Sequence, residues 1–81
     1  MEKKLYFETL RKSLAIKLSY FDSKITVRYD NILSYMYVVF PPERTLISYV
    51  VLDTIRSAGG EISVGYYKDH LEVSFEVLYC E

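Results

Sequence analysis

Residues 16–30, IKLSYFDSKITVRYD, hold two apolar alternations on either side of a short polar break. Ile16, Leu18 and Tyr20 alternate with Lys17 and Ser19; Ile25, Val27 and Tyr29 alternate with Lys24, Thr26 and Arg28. A period of two belongs to a strand, whose successive side chains point to opposite faces. With Asp22 and Ser23 as a two-residue turn, the stretch predicts a hairpin opposing Tyr20 to Ile25, Leu18 to Val27 and Ile16 to Tyr29 on one face. The other face then sets Ser19 beside Thr26 and Lys17 beside Arg28.

Upstream, Phe7, Leu10 and Leu14 recur at i, i+3 and i+7, with Lys4, Glu8 and Lys12 on the opposite side, so an amphipathic helix is expected from Glu2 to about Ser13. Downstream, Asp30 and Asn31 mark a turn, and residues 32–40 read as a strand apolar on both faces, closed by Pro41 and Pro42. Such a strand belongs inside a sheet or under a partner. Its two faces are Leu33, Tyr35, Tyr37 and Val39 on one side and Ile32, Ser34, Met36, Val38 and Phe40 on the other. A second helix is expected to start at Pro42 and Glu43, run through residues 46–58 and stop at Gly59 and Gly60. A final hairpin follows, residues 61–67 and 70–79, joined across Lys68 and Asp69.

A shift of 46 lays Tyr20 on Tyr66, Val27 on Val73 and Tyr29 on Phe75, and a shift of 45 lays Phe7, Glu8, Thr9, Leu10 and Arg11 on Leu52, Asp53, Thr54, Ile55 and Arg56. The expected architecture is therefore a single α+β domain over residues 1–81, a two-layer sandwich. Its five-stranded, largely antiparallel sheet carries two helices on one face and is built from a duplicated helix-hairpin unit. The repeat units are about 2–30 and 43–79, with a linking strand at 31–40.

Eighty-one residues, about half apolar and a quarter charged, make one small folded domain that is marginal as a monomer. The apolar run at 32–40 is far short of the roughly 20 residues that cross a bilayer, so no membrane partner is expected. The single cysteine, Cys80, and the lack of a secretory segment point to a cytoplasmic protein. One asparagine, no glutamine and nine tyrosines give a thermophile-like composition.

No constellation for chemistry emerges: no catalytic residue, cofactor site or metal site is expected, and the protein is read as not an enzyme. His70, beside Asp69, has no third member; Cys80 has no cationic neighbour; Gly59 and Gly60 precede a strand, the reverse of a phosphate-cradling loop. Charge carries more. Residues 1–28 hold seven cations against three anions, and residues 29–81 three against eight. The expected function is a small non-enzymatic binding protein acting as a homodimer toward an unidentified protein partner, with Tyr35, Tyr37 and Val39 as the dimer interface. The alternative is a nucleic-acid-binding regulator in which Lys17, Lys24 and Arg28 meet phosphate beside the aromatic strand; an enzyme without recognisable motif ranks third. The opposed pair Lys17 and Arg28 is expected to be neutralised by a carboxylate such as Glu72 or Glu76, from the same chain or a partner, ahead of a phosphate.

Overall fold

The helical stripe that begins at Phe7 does not stop at Ser13. Leu14 and Leu18 continue it at i+7 and i+11, all three are fully buried, and one helix, α1 (Lys3–Ser19), carries them. The computed structural model describes residues 2–43 and 46–80. Four strands and a second helix follow: β1 (Thr26–Asp30), β2 (Tyr35–Val39), α2 (Tyr49–Arg56), β3 (Ile62–Tyr66) and β4 (Leu71–Glu76).

The expected strand at 16–20 is thus the last turn of a helix. Of its three apolar residues only Leu18 is buried; Ile16 is 61% exposed and Tyr20 85% exposed. A single buried residue satisfies the helical stripe, whereas the strand reading needs all three on the core side. The polar break works differently too. The Phe21 and Asp22 N–H groups donate to the Leu18 carbonyl, and the Asp22 carboxylate accepts from Lys24 N–H, closing the helix and turning the chain instead of forming a hairpin.

Without that hairpin β1 pairs with β2, through a turn at residues 31–34 in which the Asp30 carboxylate accepts from the Ile32 and Leu33 N–H groups and Ser34 takes a left-handed φ of 61°. The sheet has four antiparallel strands in the order β1-β2-β4-β3, not five, and β2 is the partner of β1, not a linker. The matches of Tyr20 with Tyr66 and Val27 with Val73 have no counterpart, because Tyr20 follows a helix and Val27 sits on an edge strand while Val73 sits on a central one. A helix followed by a hairpin does occur twice along the chain.

The second hairpin forms across Lys68 and Asp69 as its turn residues suggest, with Tyr67 N–H donating to the His70 carbonyl at 2.9 Å, though β4 ends at Glu76. The second helix is shorter than expected. Ser48 caps it by accepting from Val51 N–H, which displaces Pro42 and Glu43 as its start; residues 44 and 45 lie outside the described residues. Gly60, at φ 115°, lies in the left-handed region after the helix, and a Cβ on Gly59 would overlap the Phe75 ring.

Val27, Val38, Val73 and Val64 form one row across all four strands on the helix side. Val27, Val38 and Val73, with Met36, Phe75 and Leu71, meet Phe7, Leu14, Leu18, Val51 and Ile55 from the helices in one core, and Val64 at the end of the row lies outside it. The opposite side of the sheet carries no helix among the described residues.

Candidate interaction surface

Sheet parity sends Tyr35, Tyr37 and Val39 to the helix-free face, since Met36 and Val38 are fully buried on the other. The neighbours follow from the register. Arg28 lies opposite Tyr37, and Tyr37 opposite Ser74; Asp30 lies opposite Tyr35, and Tyr35 opposite Glu76; Val39 lies opposite Glu72. The Tyr35 and Tyr37 rings stack at 6.2 Å with 25° between planes.

Arg28 reaches across β2. Its Nη2 lies 3.0 Å from Glu72 Oε1, and its guanidinium sits 5.6 Å from the centre of the Tyr37 ring. Arg28 and Glu72 are 44 residues apart but on strands that flank β2, two strand spacings of about 4.8 Å each, a gap that an extended arginine spans. The Glu72 side chain is only 12% exposed, so the guanidinium compensates a carboxylate with little access to water. Glu61, Ser63, Ser74 and Glu76 line a shallow cleft beside Tyr35, which adds carboxylates at this end of the face.

The three cations expected to act together are dispersed. Lys17 is on α1, in the other layer, lining a groove with Tyr20, Phe21, Val50 and Asp53, so its expected pairing with Arg28 does not occur. Lys24 Nζ lies 3.0 Å from Glu43 Oε1; this hydrogen bond raises the lysine pKa, and the Glu43 carboxyl is lowered by its own backbone N–H and by Lys24. Arg28 pairs with Glu72, one of the two carboxylates suggested for the pair Lys17 and Arg28, without Lys17 beside it. The contribution of Asp30 and Glu61 to the face was not anticipated; the parity of β1 carries the signal for Asp30, once β1 is paired with β2.

His70 stacks on Tyr67 at 5.0 Å, and its Nδ1 lies 2.7 Å from Asp69 Oδ1, which holds the Asp69 carboxyl below its usual value. The pair lines a groove with Pro42, Tyr66, Lys68 and Leu71, and among the described residues that line it there is no serine, threonine or cysteine. Cys80 is exposed. Among the described residues no three His, Cys, Asp or Glu side chains are grouped to hold a metal ion, and no helix is long and apolar enough to cross a membrane. Comparison with family models, curated proteins and solved structures returns no match.

Proposed function

We propose that the protein is a non-enzymatic interaction protein, working as a homodimer, whose helix-free sheet face receives a cationic segment of a protein partner. The observation that carries this reading is the set of carboxylates that shares one face with two stacked tyrosines. Asp30, Glu72 and Glu76 share the face with Tyr35 and Tyr37 against one cation, Arg28. Arg28 itself illustrates the mode of recognition, with its guanidinium on a tyrosine ring and its donors on a carboxylate. A second guanidinium has the same choice at Tyr35, beside Glu76. Face-to-face packing of two copies would bring like charges together, which disfavours a second copy as the occupant of this surface. The same charges disfavour nucleic acid there, and Lys24 and Arg28 are already engaged by carboxylates.

The test is a titration of ¹⁵N-labelled protein with octa-arginine at low salt. Amide shifts centred on Tyr35, Tyr37, Ser74 and Glu76, reduced in Glu76→Lys, are expected. No shifts on this face overturn the reading. Salt-sensitive shifts centred on Lys17, Lys24 and Arg28 with an oligothymidylate, in the absence of any peptide effect, would favour the nucleic-acid alternative instead.

A further inference from the structure

β3 is an edge strand without the usual defences. Edge strands are kept from pairing with other chains by charged residues, proline, bulges or a covering element. Ile62–Tyr66, ISVGY, contains no charge and no proline, and among the described residues pairs only with β4. The direction of its backbone groups follows from the hairpin. The bond from Tyr67 N–H to the His70 carbonyl makes that pair a hydrogen-bonded one, and hydrogen-bonded pairs alternate along an antiparallel ladder. Gly65 with Glu72 and Ser63 with Ser74 are therefore the next hydrogen-bonded pairs. Ile62, Val64 and Tyr66 turn their N–H and C=O groups away from β4 into open space.

The side chains of the same three residues point to the helix side, opposite Phe75, Val73 and Leu71. Ile62 packs against the core, but Val64 and Tyr66 are poorly covered beside an α2 of only eight residues. Val64, the end of the valine row, is 40% exposed, and Tyr66 is 78% exposed. Backbone donors and acceptors, apolar side chains and absence of charge coincide on one five-residue segment.

We infer that two copies of the chain join through β3, antiparallel about a twofold axis at Val64, into one eight-stranded sheet. The occupant is a second copy because the segment is complementary to itself in this register. Val64 meets Val64 and Ile62 meets Tyr66 on the helix side, and Ser63 meets Gly65 on the other. All three outward residues then pair, giving about six new backbone hydrogen bonds. The row Val27, Val38, Val73, Val64 continues without a break into the partner's own row. Pairing residues of like parity keeps both helix layers on one side of the extended sheet, so both acidic tyrosine faces lie on the other. At the small-residue crossing, Gly65 leaves room under the Tyr67 ring, where a Cβ would be 2.8 Å from the ring edge. This inference rests on the homodimer part of the proposed function and replaces Tyr35, Tyr37 and Val39 by β3 as the joint.

Sedimentation velocity on the wild type, Val64→Lys, Val64→Pro and Tyr37→Glu separates the outcomes. Val64→Pro removes an N–H that points away from β4, so the internal ladder keeps its bonds. Twice the chain mass for wild type and Tyr37→Glu, with loss of the dimer in both Val64 variants and an unchanged far-ultraviolet spectrum, is the expected result. A dimer that survives at Val64 and is lost in Tyr37→Glu overturns the β3 joint while preserving the homodimer; a monomeric wild type at roughly 100 µM, a concentration at which a micromolar complex is assembled, overturns both. Amide exchange of the unaltered chain guards against misfolded variants. Slow, concentration-dependent exchange at Ile62, Val64 and Tyr66 is expected, and fast exchange at all concentrations overturns the inference.

Discussion

The two edges of the sheet are built on opposite plans. β1 carries Arg28 and Asp30 on its outer face, the first tied to Glu72 and the second to the turn backbone, while Val27 on its inner face and Ile25 just before the strand are buried, and α1 packs on β1. β3 has neither a charge nor a long helix above it. Both strands donate a valine to the same row, yet Val27 is buried and Val64 is not. The difference teaches that an edge is closed by what flanks the strand as much as by the strand's own residues: α1 runs for 17 residues and α2 for eight.

The largest effect should come from truncating that row at its two ends. Under dilute conditions that keep the chain monomeric, Val27→Ala should destabilise by about 2 kcal/mol and Val64→Ala by less than about 1 kcal/mol in urea unfolding, in proportion to the area each removes from water. Equal losses would mean that β3 is as well covered as β1. A smaller effect sharpens the contrast from the charged side. A double-mutant cycle of Arg28→Ala with Glu72→Gln should give a coupling of roughly 0.2–1 kcal/mol that fades with added salt, since the arginine is largely exposed. A coupling near zero at low salt would remove the ion pair from the defences of the β1 edge.

The smallest effect is in the pH dependence. Arg11 Nη2 lies 2.6 Å from Glu8 Oε1, and this hydrogen bond, with a further one from Tyr29 on β1, holds the Glu8 carboxyl below the usual 4.5; partial burial, then Glu8, raises the Tyr29 phenol. At the β3–β4 turn Asp69 is likewise lowered, by His70. A depressed carboxyl contributes stability that is complete above its unfolded value and is lost as the pH falls through its folded one, so both ends of the sheet weaken on the acid side. In Arg11→Ala a carboxyl titration followed by NMR should return Glu8 toward 4.5 and leave Asp69 where it was. Movement of Asp69 would show that the two ends are coupled.

Much of this arrangement was legible in the sequence. Residues 35–39 are apolar on both faces and do lie inside the sheet; the Lys68-Asp69 turn and the two strands beside it follow from period and turn chemistry. The region 16–20 misled because a helix stripe and a strand alternation share Leu18, and only the longer run Phe7, Leu14, Leu18 separates them. A strand at 16–20 would pair with β1 and set Lys17 beside Arg28, whereas the longer helix leaves β1 to pair with β2. At the candidate site the carboxylate for Arg28 was readable from charge, because only the second half of the chain holds an acidic excess. Strand order was not readable, and with it went the identity of the bare edge, since no local signal distinguishes β3 at an edge from β4 at the centre.

The order β1-β2-β4-β3 also has a kinetic consequence. Both outer ladders are hairpins between neighbours in sequence, whereas β2 and β4 are separated by a helix and another strand. Hairpins close in about 1–10 µs, and pairing of distant segments is slower because the intervening chain must be confined first. The central ladder of the native sheet, β2 with β4, is therefore expected to form last. Until it does, β2 presents YMYVV with one side unpaired, an uncharged and strongly β-forming segment of the kind that recruits other chains. On this topology, the speed with which β4 reaches β2 governs how much of a refolding sample is lost to aggregation.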